Sequence, residues 1–202
     1  MNAGDRILVA RASRGDVEAF TKLVRANSSL VYRVALRMLG PEDAQDASQE
    51  VWVRVWRNIG GFKGESAFST WLYRITMNTC LSARERESRR TAREYAEGMP
   101  YLLAEPSGGE ADPEAAALDA ERREEIEAAL KYVRTEHRAA LVLRHMEGLS
   151  YAEIAEVLEV PDGTAKGWVS RGRATMLLAL AEENDKRRER RRSGGTAGEA
   201  VG

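Results

Sequence analysis

Apolar residues recur three and four positions apart through most of the chain, and the interruptions in that rhythm divide it into helices. Ile7, Leu8 and Val9 supply the apolar content of a short first helix over Asp5–Ala12, broken by Ser13-Arg-Gly-Asp16. Asp16 is placed to cap a second helix. That helix carries Phe20, Leu23, Val24, Leu30, Val31, Val34, Leu36 and Met38, with a kink expected near Asn27-Ser-Ser29 and an end at Gly40-Pro41. Ala47, Val51, Val55 and Ile59 form an i+4 stripe on a third helix, Asp43 to Arg57, acidic in its first turns and stopped by Gly60 and Gly61. Beyond a glycine-bounded loop, Phe68, Trp71, Leu72, Ile75 and Thr79 share one face of a long fourth helix starting at Ala67. Arg74, Asn78, Arg84 and Arg86 lie elsewhere on it.

The rhythm stops at Glu94. From there to Glu114, Gly98, Pro100, Pro106, Gly108, Gly109 and Pro113 interrupt an acidic stretch without a period, which is the composition of a flexible linker. Helical spacing resumes over Ala115–Val133 and Glu136–Glu147, with Leu118, Ile126, Leu130, Leu141, Leu143 and Met146 among the inward positions. Ser150 and Glu153 make a capping box that starts a short helix, its buried side Ile154, Ala155 and Leu158. A tight turn leads to another helix reaching about Ala181, with Val169, Met176, Leu177 and Leu180 inward. This is a helix-turn-helix pattern, whose second helix suits a DNA major groove. The expected fold is all-α: two small helical domains, 1–93 and 115–183, the second containing the helix-turn-helix. A flexible acidic linker, 94–114, joins them, and a basic disordered tail covers 184–202.

Composition narrows the function. No apolar run approaches the roughly 18 residues of a membrane span, and Met1-Asn-Ala-Gly-Asp has neither part of a signal peptide. A cytoplasmic protein is the expectation. The single cysteine, Cys80, reads as a small buried hydrophobe. With His137 and His145 the only histidines, best placed at the surface or in packing, no metal-ligand cluster forms and no cofactor is expected. No nucleophile–base pairing is visible, so no enzyme is expected. A net charge of −1 argues against nucleic acid until its distribution is followed. Residues 1–93 hold sixteen Lys/Arg against ten Asp/Glu, residues 94–129 two against eleven, and residues 130–202 thirteen against eleven. A basic front, an acidic middle and a basic end leave room for a nucleic-acid partner.

Three surfaces are candidates for binding. On the third helix Asp46, Gln49, Glu50 and Arg54 form a polar face beside Trp52 and Trp56, a mixture that favours a protein interface. The loop Gly60–Ser66 and the arginine-rich fourth helix, including Arg84, Arg86, Arg89, Arg90 and Arg93, suit contact with a nucleic-acid backbone. On the last helix Thr164, Lys166, Ser170, Arg171 and Arg173 can reach base edges and phosphates.

The run Asp46…Gln49-Glu50, then Phe62-Lys-Gly-Glu-Ser66, then Thr70-Trp-Leu-Tyr-Arg74, closely resembles bacterial RNA polymerase sigma factors of the extracytoplasmic-function (ECF) type. Leu143-Arg-His-Met-Glu-Gly-Leu-Ser150 and the helix-turn-helix after it resemble the same family, in the family's order. The resemblance implies a protein that binds core RNA polymerase and directs promoter-specific transcription initiation. The front domain would dock on the β′ clamp through Asp46, Gln49, Glu50, Trp52, Arg54 and Trp56. It would open the −10 element and capture a flipped base with Phe62, Lys63, Ser66, Ser69, Thr70, Trp71, Arg74, Asn78, Arg84 and Arg86. The second would read the −35 element through Thr164, Lys166, Trp168, Ser170, Arg171 and Arg173. The implied partners are core polymerase (β′ clamp and β flap), promoter DNA and an anti-sigma factor, without membrane insertion. The linker would thread toward the polymerase cleft.

The chain departs from the family at Ser82, where an aspartate is common, at Gly167-Trp168, where Ser-Arg is usual, and at Gly172, where alanine is common. Each interior glycine is expected to weaken its helix by about 1 kcal/mol. The competing reading is a stand-alone helix-turn-helix regulator whose front half senses a signal or dimerises. It accounts for Ser150–Arg173 and leaves Asp46–Arg74 unexplained.

Overall fold

The computed structural model describes residues 3–96 and 125–195, among which every regular element is helical. The elements are α1 (Ala3–Ala12), α2 (Val17–Leu39), α3 (Pro41–Asn58), α4 (Phe68–Ala96), α5 (125–131), α6 (Thr135–His145), α7 (Tyr151–Leu158) and α8 (Asp162–Gly195), with a short 3₁₀ turn at Ile59–Gly61. The expected linker falls outside the described residues except where α4 runs on to Ala96, and so do residues 115–124 of the helix expected before α6. No helix among the described residues is long and apolar enough to cross a membrane.

Local chemistry explains the boundaries. Asp16 caps α2, its Oδ1 accepting from the Ala19 N–H at 3.0 Å. The helix then continues without a break through Asn27-Ser-Ser29, where Asn27 Nδ2 donates to the Leu23 carbonyl at 2.9 Å. Gly40, at φ +93°, closes α2 and lets Pro41 open α3, where its missing N–H costs nothing.

Two apolar clusters fill the interior. The first, in the front half, joins Val9, Leu23, Val31, Val51, Val55, Ile59, Phe68 and Leu72. The second crosses between the halves: Val34, Met38, Tyr73, Met77 and Cys80 from the front meet Leu143, Leu149, Ile154 and Val169 from the back. The front stripe on α4 was legible from spacing, but Tyr73, Met77 and Cys80 form a second stripe that serves this other cluster. The two helical domains therefore pack against each other. Polar bonds frame the contact. The Met38 carbonyl, near the end of α2, accepts from Arg84 Nη1 and from Arg138 Nη1, each at 3.0 Å. Two cations at a helix C-terminus suit its partial negative charge.

Two expectations for the back half are corrected. Leu177 is 57% exposed and Met146 41% exposed, not inward. Among the side chains of α8 that are described, the buried positions are Ala165, Val169, Gly172 and Ala179, and Met146 and Leu177 instead line an apolar groove of about 480 Å³ with Leu130, Leu141 and Met176. The backbone of α8 also stays helical to Gly195, through the run expected to be an unfolded tail. Lys, Arg and Glu are good helix formers, and they continue a helix already nucleated by packing.

Candidate nucleic-acid interface

The helix-turn-helix is built from α7 and α8. At its entry Ser150 Oγ accepts from the Glu153 N–H at 3.2 Å, while Glu153 Oε2 accepts from the Ser150 N–H at 2.8 Å. The reciprocal pair satisfies two N–H groups that a helix start leaves open. The Ser150 hydroxyl, which also donates to Glu153 Oε2 at 2.7 Å, and then the Ser150 N–H hold the Glu153 carboxyl below its usual range. The turn pivots on Glu159 in the left-handed region (φ +56°), and the Val160 N–H reaches back to the Ala155 carbonyl at 3.0 Å. Gly163 lies inside α8, whose first bonds run from Thr164 and Ala165 N–H to the Pro161 carbonyl. Ala165 and Val169 are buried, which turns Lys166, Ser170, Arg171 and Arg173 outward and leaves Thr164 and Trp168 half-buried.

In the front half, α3 presents Asp46, Gln49 and Trp56 outward, with Glu50, Trp52 and Arg54 half-buried. Phe20 of α2 supports both tryptophans, its ring 6.2 Å from Trp52 and 4.7 Å from Trp56. Glu50 is shared between Arg54 of its own helix, at 2.5 Å, and Arg86 of α4, at 3.2 Å. The candidate polymerase face and the candidate DNA helix are thus tied together by one carboxylate.

The loop between α3 and α4 is pinned by an aromatic group: Phe62 lies 5.9 Å from Phe68 and 5.3 Å from Trp71, ring centre to ring centre. Phe62 and Trp71 are half-buried, Lys63, Ser69 and Asn78 are exposed, and Ser66 is intermediate. Thr70 is buried at 7% exposure, so it supports the loop from beneath. Arg74 turns toward the back half, where its Nη2 donates to the Glu156 carbonyl at 3.2 Å and its guanidinium lies 3.7 Å from the carboxylates of Glu156 and Glu159. Arg84 bonds Thr135 Oγ1 at 3.2 Å as well as the Met38 carbonyl. Glu147 completes the contact: its carboxylate accepts both Arg33 Nη2 at 2.8 Å and the Tyr73 hydroxyl at 2.7 Å. Burial, with that carboxylate beside it, pushes the Tyr73 phenol far above its ordinary range. Burial likewise pushes the Cys80 thiol up to about 12 and brings Arg138 down to about 10, with Arg84 nearby adding to the latter.

Comparison with known proteins decides what these surfaces belong to. Sigma-70 region 2 matches residues 23–90 and Sigma-70 region 4 matches residues 123–176. The RNA polymerase sigma-H factor of Pseudomonas aeruginosa is 37% identical over 185 residues, covering 87% of this chain and 93% of its own. The ECF RNA polymerase sigma-E factor of Escherichia coli K12 is 32% identical over 172 residues, covering 84% and 90%. The chain belongs to the ECF sigma factors. Among solved structures, CnrH in complex with the cytosolic domain of CnrY is 26% identical, covers 89% of this chain and 99% of its own, and superposes with a TM-score of 0.63. The sigma factor RpoE of Bartonella quintana, solved with the anti-sigma factor NepR, shares the fold at a TM-score of 0.62 and 21% identity, over 82% and 98%. The region 2 match occupies the front half that a stand-alone regulator left without a role, and that reading is not favoured.

Sequence reasoning on this sigma factor missed several residues that organise the surfaces. Glu147, Glu156 and Glu159 engage Arg33, Tyr73 and Arg74 across the two halves, and His137 accepts a bond from Arg171. Nothing local marks such pairs. The acid residues beside a motif whose partner domain is basic were the available signal.

Proposed function

We propose a division of labour for this sigma factor along the limits 1–93, 94–114, 115–183 and 184–202. The front unit docks on the β′ clamp of core RNA polymerase through Asp46, Gln49, Glu50, Trp52, Arg54 and Trp56. The loop and α4 hold the unstacked −10 strand, with Phe62 and Trp71 as the aromatic floor, Lys63, Ser66, Ser69 and Asn78 as polar contacts, and Arg74, Arg84 and Arg86 toward phosphates. Thr70 acts through the loop it supports. The linker runs toward the polymerase cleft. The back unit lays α8 in the −35 duplex with Thr164, Lys166, Trp168, Ser170, Arg171 and Arg173, and its apolar groove meets the β flap. An anti-sigma protein is the natural regulator of the same faces.

The protein acts by binding energy, without covalent chemistry of its own, in the cytoplasm where core polymerase resides. Arg74 is tied to Glu156 and Glu159 when the halves are packed together, so strand capture requires those pairs to break. Half-exposed pairs at 3.7 Å are weak, of the order of 0–1 kcal/mol, and polymerase binding is sufficient to replace them. The observation that carries the reading is the occurrence of both units, in order, on one chain. Purified chain added to core polymerase is expected to start transcription at a defined promoter and to shift a single-stranded −10-like oligonucleotide only when core is present. No association with core polymerase would reject it.

A further inference from the structure

Gly167, Trp168 and Gly172 break the family pattern within two turns of α8, and the structure relates all three to one residue on α6. Gly172 lies against the backbone of His137: a Cβ built there would sit 2.9 Å from the His137 carbonyl oxygen. That close approach sets the imidazole beside α8, where His137 Nε2 accepts a hydrogen bond from Arg171 Nε at 3.3 Å. The Arg171 guanidinium then lies along the helix over Gly167, with Nη2 and Nη1 only 3.1 and 3.2 Å from the position of an added Cβ. The Trp168 ring stands 6.4 Å from the imidazole, tilted by 49° to it. Arg134, Glu136, His137, Trp168 and Arg171 together line a hollow of about 470 Å³.

We propose that His137 is a positioning residue for promoter readout, holding Arg171 as a preformed fork for the −35 duplex, with Gly167 and Gly172 making the space this needs. The proposal rests on the reading of α8 as the helix that enters the duplex. The bond to His137 engages Nε and not the two terminal nitrogens, the pair that grips a phosphate or a guanine edge bidentately. An exposed arginine otherwise loses side-chain freedom when it binds, a cost of about 2- to 10-fold in affinity that positioning removes beforehand.

The device is pH-dependent by construction. Nε2 accepts only while the ring is neutral, and an imidazolium beside Arg171 is a second cation in place of an acceptor. The charged groups facing the ring are Arg134 just before α6, Glu136 on α6 and Arg171 on α8. Burial first, then Arg171 and Arg134, hold His137 below its ordinary value of 6.5, with Glu136 opposing. The positioning bond is therefore present above that value and lost as pH falls through the lowered one.

The test uses the full chain with core polymerase and a fluorescent duplex selected from a randomised pool by that holoenzyme, with affinity measured from about pH 5.5 to about pH 8 at constant salt. Wild type is expected to lose affinity at the acid end more steeply than His137→Gln, whose amide oxygen accepts from Arg171 without titrating. His137→Ala is expected to bind about 2- to 10-fold more weakly at the alkaline end, with a flat profile. Arg171→Ala should show the same loss, and the double variant no more than either single. His137→Ala matching wild type at every pH, or Arg171→Ala binding undiminished, overturns the proposal while leaving the −35 reading intact. A wild-type holoenzyme from which no duplex can be selected overturns both. Circular dichroism melts of each variant separate a folding defect from a positioning one.

Discussion

Replacing Gly172 by alanine sets two physical effects against each other with opposite signs. In a helix interior alanine is favoured over glycine by about 1 kcal/mol. On that ground alone the variant gains stability. The structure predicts the reverse, because the new methyl would stand 2.9 Å from the His137 carbonyl oxygen and 3.3 Å from its carbon. Ordinary contact begins near 3.4 Å, so α6 and α8 must separate by about half an ångström along that line. The neighbour is backbone of a packed helix and cannot swing aside. Overpacking of this kind costs about 1–3 kcal/mol, which exceeds the propensity gain and leaves a net loss near 1 kcal/mol. For a chain of this length that lowers the melting temperature by about 2–4 °C. Gly167→Ala is the internal control: its neighbours are the terminal atoms of the Arg171 side chain, which can swing away at the loss of its exposed bond to His137, so most of the propensity gain is expected to survive, at about 0.5–1 kcal/mol. Urea or thermal melts followed at the helix band report both. If Gly172→Ala stabilises the protein as much as Gly167→Ala, the close packing of α6 on α8 is not what decides this position.

Further outcomes follow from the same bonds. Glu147→Ala strips both the Tyr73 hydroxyl and Arg33 of their acceptor; with Arg33 itself 56% exposed and able to turn to water, the loss is expected to come mainly from Tyr73, about 1–2 kcal/mol in the denaturant midpoint. Tyr73→Phe in the same background should then cost little more, and full additivity would argue against a shared bond. Acid should destabilise the protein through Asp16 and Glu153, whose carboxyls are lowered chiefly by the Ala19 N–H and the Ser150 hydroxyl. With folded values below the unfolded ones, this stability is complete above about pH 4.5 and disappears as pH falls through the folded values; Glu153→Gln should flatten that part of a stability-versus-pH curve. Cys80 is buried with its thiol raised to about 12, so a thiol reagent at neutral pH is expected to label it only as fast as the chain opens. Rapid labelling of the native protein would contradict the packing described between the halves.

The parts of the fold legible in the sequence are those set by neighbours in the chain. The Asp16 cap, the Ser150–Glu153 box and the Val51–Val55–Ile59 stripe need only a few adjoining residues to form, and each occurs where its pattern predicts. Contacts across long separations were not legible. Arg138 gives no local sign that it will reach the Met38 carbonyl a hundred positions away, nor does Gly172 announce a neighbour on another helix. Leu177 and Met146 show the opposite limit: helical spacing assigns a residue to a face but does not say what covers that face. At the candidate site, Lys166, Ser170, Arg171 and Arg173 are outward as the motif predicts. Thr70 is buried, and Arg74 is held by acids that no rule of periodicity brings to it.

Because α8 stays helical to Gly195 while its last buried side chain described is Ala179, sixteen further steps of 1.5 Å carry its axis about 24 Å past that anchor. A helix anchored at Ala179 and carried that far past it is a lever: a small tilt where Ala179 is packed becomes a much larger displacement of the backbone at Gly195.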